Sequence, residues 1–395
     1  MASFTFSLLI FSLLIFSLLL PLSLSSTLIL PLNKHESTNH YLTRIHHGSH
    51  LEPAELVVDL NSPLLWVDCS SSPQPTAINC RSIQCTSAAS NPCPTSPSAN
   101  QACSLPLRNP ATGGFATGEL VDSFISFYDK VSVVDSFLMS CAPSKILSGL
   151  PTGSKGVFGL GKTRIGPVSQ ISHIMEYPKK FSLCLSENNG MILTGNDEGE
   201  VFKSMSYTPL IDNEGDSSYN INLKSIKVQN KKLPLDDNTL SSIKISTVEP
   251  YSKMETRIYQ ELVQAFVTEA EALNPNLLRV PPEGGFEVCF GVEGFKVSPV
   301  IDLILQSEMV KWRIYGHNSM VKINDEIICL GFLDGGIDLN GSSMILGGHQ
   351  LENNLLEFDL GSSMLGFSSS LLKLQSSCSQ LSSSAMAQQM GAQSS

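Results

Sequence analysis

The chain has 395 residues, a formal net charge of −11 and 42% hydrophobic residues. The acidic balance argues against nucleic-acid partners and against binding to anionic membranes, because like charges repel. The length exceeds what one hydrophobic core usually serves, so we expect two domains or lobes.

An uncharged run rich in Leu, Ile and Phe extends from Phe4 to Leu24. It predicts a secretory signal peptide over residues 1–25, followed by small residues that suit a cleavage site. A membrane anchor is the alternative, because the run approaches the roughly 20 residues of a spanning helix. Once a signal peptide is removed, we expect an extracellular protein without a membrane partner.

Short runs of strand-forming residues, separated by turns of Gly, Pro, Asn and Ser, dominate the rest of the chain. The clearest are Glu55–Val58, Leu120–Phe127, Tyr219–Val228 and Met320–Leu330. One clear helix is predicted over Glu255–Leu273, where Ile258, Leu262 and Phe266 repeat at four-residue steps. The pattern therefore predicts a mainly β protein with few short helices.

The number of cysteines in a secreted chain favours disulfide bridges, and five bridges are possible. Spacing alone does not fix the pairing. Zinc is an alternative for the four central cysteines, but no Cys-x-x-Cys pair occurs among them, so no metal or other cofactor is expected. The ten are Cys69, Cys80, Cys85, Cys93, Cys103, Cys141, Cys184, Cys289, Cys329 and Cys378. A sequon also marks Asn340 for glycosylation.

The two halves of the chain repeat one pattern. Asp59 ends an apolar strand about a hundred residues before Gly159, and Ser246 ends another at a similar distance before Gly347. Glycines that simply end buried strands are the alternative explanation. Two such pairs in order favour a duplicated lobe. We expect an N-terminal lobe over 26–212, a C-terminal lobe over 213–375, and a partly disordered Ser- and Gln-rich tail over 376–395.

Several segments resemble the pepsin-like aspartic peptidases, and within them a plant branch. That branch contains the wheat-type xylanase inhibitors, the xyloglucan endoglucanase inhibitors, the extracellular dermal glycoproteins and basic 7S globulin. The segments include Leu65–Cys69, Cys80–Cys85, Ile245–Thr247, Cys329–Gly331 and Gly347–Asn354, and the resemblance covers roughly residues 40–378. It implies a bilobal β fold with a central cleft, secretion to the cell wall or apoplast, and a monomer.

In pepsin-like peptidases two close carboxylates share one proton, so that one acts as a base on water while the other acts as an acid. Asp59 matches the first carboxylate, and Ser246 stands where the second belongs. A serine hydroxyl does not ionise usefully. Three of the four neighbouring support positions also differ, as Leu60, Asn61 and Val248. We therefore expect an inactive homologue in which Asp59 is a relic.

The resemblance implies that the protein binds and inhibits cell-wall-degrading glycoside hydrolases, either a xyloglucan endoglucanase or a xylanase. Such hydrolases carry two carboxylates in an open cleft, which a basic side chain on a loop can enter. The loop before the last cysteine carries Lys373, and Gln375 stands where some relatives place Arg. Lys311 and Arg313 are further basic candidates, with ordinary strand surface as the alternative.

Two other functions stay open. One is an aspartic endopeptidase with residual activity through Asp59, and the other is a storage or peptide-binding wall protein like basic 7S globulin. The resemblance also implies the disulfide pairs Cys69–Cys141, Cys184–Cys378 and Cys289–Cys329, with the remaining four cysteines paired among themselves.

Overall fold

A computed structural model describes residues 27–70, 75–88, 93, 101–127, 133–195, 200–212, 215–236 and 239–393. The expected signal peptide lies outside these residues. Within them the protein is mainly β and has two lobes with a cleft between them. No helix in the described part of the chain has the length and apolar character needed to cross a membrane.

The strands of the first half of the chain lie between residues 27 and 195. They are β1 (Thr27–Lys34), β2 (Tyr41–His47), β3 (Glu52–Asp59), β4 (Trp66–Asp68), β5 (Thr76–Ala77), β6 (Ser104–Arg108), β7 (Phe115–Ser126), β8 (Val133–Ala142), β9 (Gly156–Gly159), β10 (Lys180–Cys184) and β11 (Gly190–Gly195).

Strands of the second half are shorter. They are β12 (Ser206–Ile211), β13 (Asn220–Asn222), β14 (Ser225–Val228), β15 (Lys231–Lys232), β16 (Ser242–Ile245), β17 (Ser252–Met254), β18 (Arg279–Val280), β19 (Cys289–Gly291), β20 (Ile301–Ile304), β21 (Lys311–Ile314), β22 (Met320–Lys322), β23 (Ile327–Leu330), β24 (Phe332–Asp334), β25 (Met344–Leu346), β26 (Leu355–Asp359) and β27 (Met364–Phe367).

Helices are few and mostly short. They are α1 (Ile83–Ala88), α2 (Pro167–Ile174), α3 (Glu200–Lys203), α4 (Thr256–Leu273), α5 (Gly316–Ser319), α6 (Gly348–Leu351) and α7 (Cys378–Gln393), with 3-10 helices at Ser144–Leu147 and Leu371–Leu374. The predicted helix is confirmed as α4, whose Ile258, Leu262 and Phe266 are buried in the core.

Six antiparallel strands join the two lobes, in the order β1-β11-β10-β26-β27-β12. The central pair β10 and β26 brings Phe181 and Phe358 together with ring centroids 4.8 Å apart. Tyr219 packs on the ring of Phe358, and the Tyr219 hydroxyl donates to the carbonyl of Leu160, 2.6 Å away. The lobes are therefore tied by continuous sheet and core. The boundary expected after residue 212 falls in the loop between β12 and β13.

Both lobes contain the same strand arrangement around the sites that the sequence paired. In the first, β3 runs parallel to β9 with Asp59 opposite Gly159, and β4 runs antiparallel to β9. In the second, β16 runs parallel to β25 with Ile245 opposite Leu346, and β17 runs antiparallel to β25. The predicted duplication is thus visible in the strand pairing.

The glycine of each repeat is required by close approach. A Cβ atom at Gly159 would collide with the carbonyl groups of Ser62 and Leu64, which belong to the turn after Asp59. A Cβ at Gly347 would lie 2.5 Å from the carbonyl carbon of Tyr251, in the corresponding turn after Ser246. These glycines therefore let the two site turns pack directly against strands β9 and β25. Their role is thus not limited to ending a buried strand.

Disulfides hold the outer segments. The structure contains Cys69–Cys141, Cys184–Cys378 and Cys289–Cys329, which are the pairs that the resemblance implied, and it joins the central four as Cys80–Cys93 and Cys85–Cys103. All ten cysteines are thereby bridged, so the four central thiols are not available to zinc.

Three segments differ from their sequence-based predictions. Tyr219–Val228 divides into β13 and β14, and Met320–Leu330 divides into the hairpin β22–β23, because polar turn residues interrupt each run. The tail contains helix α7 where partial disorder was expected. The Cys184–Cys378 bridge fixes its first residue, and Leu381, Ala385 and Met386 pack against an apolar cluster of the core.

Candidate functional site

Asp59 closes strand β3 at the floor of the cleft and is buried. Its Oδ1 accepts the backbone N–H of Asn61 at 2.8 Å. Burial raises the pKa of the Asp59 carboxyl, and this effect outweighs the Asn61 hydrogen bond and the positive charges of Lys244 and Arg108. The carboxyl therefore holds its proton more tightly than an exposed aspartic acid.

Ser246 lies just after strand β16 and lines the same cavity as Asp59. Its Oγ accepts the N–H groups of Val248 at 3.3 Å and Glu249 at 3.2 Å. The hydroxyl thus caps its own turn, in the way that Ser and Thr side chains often do. It supplies no second carboxylate for an acid–base pair with Asp59.

Two other carboxylates line the cleft, and both are engaged elsewhere. Asp216 accepts the backbone N–H of Ser218 at 2.8 Å and the side-chain amide of Asn220 at 3.1 Å. Glu249 forms an ion pair with Lys253 at 2.7 Å. Each of these two carboxylates therefore has a partner within the protein.

The hydroxyl of Thr247 makes two hydrogen bonds between the two site turns. Thr247 donates its hydroxyl to the carbonyl of Val58 at 2.7 Å and accepts the N–H of Leu60 at 3.2 Å. Leu60 has no hydroxyl with which to return these bonds. Instead the side-chain amide of Asn61 donates to the carbonyl of Ile245 at 3.2 Å. Asn61, one of the positions where the sequence departs from the peptidase pattern, therefore adds a hydrogen bond between the two site turns.

A β-hairpin made by β6 and β7 lies over the cleft, and its turn is pinned to the body. The buried amide of Asn109 donates to the carbonyls of Ile146 at 2.7 Å and Ser148 at 2.9 Å. Phe115, the aromatic residue of this hairpin, is 76% exposed at the mouth of the cleft. The buried indole N–H of Trp66 on β4 has no hydrogen-bond partner among the described residues. No side chain of the described hairpin thus reaches Trp66 with a polar group.

Two cations face the cleft. Lys244 on β16 is half-buried, and Arg108 at the end of β6 is exposed. Both line a cavity of about 430 Å³ that is also lined by Asp59 and Ser246, and both line a second cavity of about 470 Å³ that shares Asn340 with the first. Sequence reasoning missed them. The period of two along β16 could have found Lys244, because it stands two residues before Ser246 and so shares its face.

The loop before the last cysteine is exposed and compact. It forms the 3-10 helix Leu371–Leu374, followed by Gln375 in the left-handed region with φ 55°. Lys373 extends over the ring of Tyr315, with Nζ 4.9 Å from the centroid, a cation–π contact. The Cys184–Cys378 bridge ties the end of the loop to β10.

The other basic candidates differ from each other. Arg313 forms a bidentate pair with Asp302, at 2.7 Å from Nε and 3.1 Å from Nη2. The Asp302 side chain is only 3% exposed, so Arg313 neutralises a buried charge and is not free to bind a partner. Lys311 is exposed at the start of β21. The structure therefore brings Asp59 and Ser246 together but leaves Lys373, Lys311 and Arg313 outside the cleft.

Asn340 occupies the tip of a small hairpin closed by the bridge between Leu339 and Ser342. Its side chain is exposed, and Asn340 lines both cavities of the cleft together with Arg108 and Phe115. The expected glycosylation site is therefore accessible, and a glycan on it would stand beside the cleft mouth.

Comparison with known proteins gives a consistent picture. The xylanase inhibitor N-terminal model matches residues 41–196, and the xylanase inhibitor C-terminal model matches residues 218–369. The probable aspartic proteinase GIP2 of Nicotiana benthamiana is 38% identical over 89% of this chain and 90% of its own. Basic 7S globulin of Glycine max is 30% identical over 87% and 88% of the two chains.

Solved structures agree. The crystal structure of edgp has a TM-score of 0.81 at 35% identity, covering 90% of this chain and 98% of its own. An aspartic proteinase from Irpex lacteus has a TM-score of 0.61 at 13% identity, covering 87% and 98%. At that identity the likeness concerns the fold alone, which is the bilobal fold of pepsin-like aspartic proteinases.

Proposed function

The chain belongs to the xylanase-inhibitor-type branch of the pepsin-like proteins, and we propose that it is a catalytically inactive member that binds and inhibits cell-wall-degrading glycoside hydrolases. The proposal includes secretion to the cell wall or apoplast as a monomer. A xyloglucan endoglucanase or a xylanase is the expected partner.

One observation carries the inhibitory part: the exposed cation on a braced loop. Lys373 is held against Tyr315, and its loop is tied down by the bridge at Cys378. A cation fixed in this way loses little conformational freedom on binding, which improves affinity. The two carboxylates of a glycoside hydrolase cleft are a suitable target for it.

The surroundings of Asp59 support the proposal that the protein is catalytically inactive. Acid–base work on water needs a second ionisable group beside Asp59, and the Ser246 hydroxyl is committed to two backbone N–H groups. Removing one general acid–base group lowers a rate by about 10²–10⁴. Pepstatin-sensitive cleavage of denatured casein at acid pH, lost in Asp59→Ala, would overturn this part of the proposal.

A variant series tests the loop. The secreted protein is titrated into a microbial xyloglucan endoglucanase and a xylanase while residual hydrolysis is followed. We expect Lys373→Ala to weaken inhibition about tenfold or more, as for a central interface cation. Gln375→Arg should strengthen it, because guanidinium binds carboxylate in a bidentate manner. Lys231→Ala, which removes an exposed ion pair with Glu269 outside the loop, is the matched control.

Results of that series discriminate between functions. Equal inhibition by all variants would place the contact elsewhere on the protein. Absence of inhibition by every variant would leave the storage or peptide-binding reading, for which basic 7S globulin is the similar protein.

A further inference from the structure

We propose that the cleft is closed by the protein's own carbohydrate: an N-glycan on Asn340 packs its first sugar rings on Phe115 and Arg108, which line the same two cavities. A cleft closed in this way leaves the Lys373 loop as the surface that meets a hydrolase. The inference rests on the proposed secretion, because N-glycans are added in the secretory pathway, and it does not depend on hydrolase inhibition.

The modification itself has one site in the sequence, since Asn340 belongs to its only N-glycosylation sequon. The donor is an oligosaccharide linked through its C1 atom to a lipid diphosphate. The amide nitrogen of Asn340 bonds to C1 and loses a proton, while the bond from C1 to the diphosphate oxygen breaks and the lipid diphosphate leaves. The sugar that becomes attached to the protein is N-acetylglucosamine.

The attachment point is held in place by the fold. Asn340 and Gly341 form a two-residue turn with φ values of 56° and 80°, closed by the bridge between Leu339 and Ser342. An Asn-Gly pair is the pair that such a turn prefers. The hydroxyl of Ser241 donates to the carbonyl of Gly341 at 3.1 Å, which ties the tip to the residue before β16. A sugar attached here therefore loses little freedom when it packs on the cleft.

The hairpin of β6 and β7 offers a platform that suits a sugar ring. Arg108 and Phe115 are paired directly across the two strands, so their side chains lie on the same face. Phe115 is 76% exposed and is the most exposed aromatic residue in the described part of the chain. The C–H groups of a pyranose pack on the face of such a ring, which carries partial negative charge. The guanidinium of Arg108 donates hydrogen bonds to the N-acetyl carbonyl beside it.

The charges around the cleft favour a neutral ligand. Lys244 and Arg108 share it with the carboxyl groups of Asp59, Asp216 and Glu249. Because both signs are present, neither an anion nor a cation is matched by the whole surface. N-acetylglucosamine is uncharged, and its hydroxyl groups donate to carboxylates and accept from cations. The second cavity, of about 470 Å³, also lies within the size range of small-ligand pockets.

The test compares three forms of the full chain, each secreted with its disulfides formed from cells that retain oligomannose glycans. They are the wild type, Ser342→Ala, and Ser342→Ala combined with Glu326→Thr. The first substitution removes the sequon and keeps the Asn-Gly turn. The second creates a sequon at Asn324, an exposed residue of the β22–β23 turn that lines neither cavity, and so provides a matched glycan elsewhere. Mass spectrometry of glycopeptides identifies the residue that carries sugar.

Hydroxyl-radical footprinting of the three forms measures how fast Phe115 is oxidised. We expect oxidation about twofold slower in the wild type than in the other two forms, because stacking covers one of the two faces of the ring. Phe124, on the same strand and 43% exposed, is the internal reference and should react equally in all three. Equal oxidation of Phe115 in all forms, or a wild type without sugar on Asn340, would overturn the proposal.

Endoglycosidase H, which cuts between the first two sugars, provides a second readout on the native protein. We expect it to cleave the Asn340 glycan about tenfold more slowly than the Asn324 glycan of the control, as a well-packed aromatic contact can supply. Phe115→Ser should bring the Asn340 rate to that of the control. Equal rates in the two unaltered hairpins, or protection that persists in Phe115→Ser, would contradict the packing. Neither readout uses a cell-wall hydrolase, so a failure of the proposed inhibition leaves both results intact.

Discussion

The hydroxyl of Thr247 donates a hydrogen bond to the carbonyl oxygen of Val58, 2.7 Å away, across the boundary between the two lobes. Both groups are buried at the point where an active peptidase would keep its catalytic pair. The contact shows that the two site turns hold each other. One turn carries the carboxyl of Asp59 and the other carries the hydroxyl of Ser246.

Replacing Thr247 tests how much this contact stabilises the lobes. Thr247→Val removes the donor and leaves the Val58 carbonyl and the Leu60 N–H without their partner. We expect the free energy of unfolding to fall by about 1–3 kcal/mol, the cost of unsatisfied buried groups. Urea denaturation measures it. Thr268→Val, on the exposed face of α4, removes a hydroxyl bonded to Gln264 and should change stability far less. Similar losses in both variants would contradict the account.

Asp59→Asn tests the buried carboxyl through pH. Because the pKa of Asp59 is higher in the folded state than the ordinary 3.8, its contribution to stability is present below that pH and is lost as pH rises through the folded value. The neutral variant escapes this loss. We expect the stability difference, variant minus wild type, to increase as pH rises, measured by urea denaturation across the acid range.

Asp216 is a control for this prediction, because its pKa is shifted in the opposite direction from that of Asp59. Burial alone would raise its pKa, but hydrogen bonds from Ser218 and the charge of Lys244 together lower it. Its stabilising contribution is therefore present above 3.8 and is lost as pH falls. Asp216→Asn should be less stable than wild type at neutral pH, with the gap closing in acid. Parallel pH profiles for the Asp59 and Asp216 variants would refute both assignments.

Arg313 is predicted to be structural. Arg313→Ala leaves the buried carboxylate of Asp302 without its bidentate partner, and we expect a loss of about 2–3 kcal/mol. Lys311→Ala, two residues away on the same strand, should change stability by less than about 0.5 kcal/mol. Thermal and urea unfolding of the two variants decide the matter. An unchanged stability in Arg313→Ala would return Arg313 to the binding candidates.

The Cys184–Cys378 bridge should stabilise more than Cys80–Cys93. The cysteines of the first bridge are 194 residues apart in sequence, and those of the second are 13 residues apart. Closing a longer loop restricts the unfolded chain more, by about 2 kcal/mol for this difference. We compare the Ser–Ser double variants of each pair by calorimetric unfolding. The double variant that lacks the Cys184–Cys378 bridge should also inhibit hydrolases more weakly, because Cys378 holds the Lys373 loop. A larger loss on removing Cys80–Cys93 would contradict this.

Much of the architecture could be predicted from the sequence because the lobe is duplicated. Asp59 and Ser246 stand at matching distances from Gly159 and Gly347, and parallel pairing of the corresponding strands then places the two turns face to face. Helix α4 could be predicted for a different reason, because the four-residue spacing of its buried side chains is a local property of the sequence.

Other features depended on contacts far apart in sequence. Asn61 bonds to Ile245 across the lobes, and its local pattern indicated only a departure from the peptidase motif. Arg313 differs from Lys311 only because Asp302 lies opposite it on the neighbouring strand β20. The tail becomes helical because a bridge and an apolar cluster hold it, although its composition favours disorder.

The most direct measurement of the central claim is a titration of a microbial xyloglucan endoglucanase with the mature, fully oxidised protein, at enzyme concentrations well above the dissociation constant. The account predicts that hydrolysis falls linearly and stops near one molar equivalent, while the protein itself cleaves no casein at acid pH. Undiminished hydrolysis by that enzyme and by a xylanase in the presence of excess folded protein would contradict it.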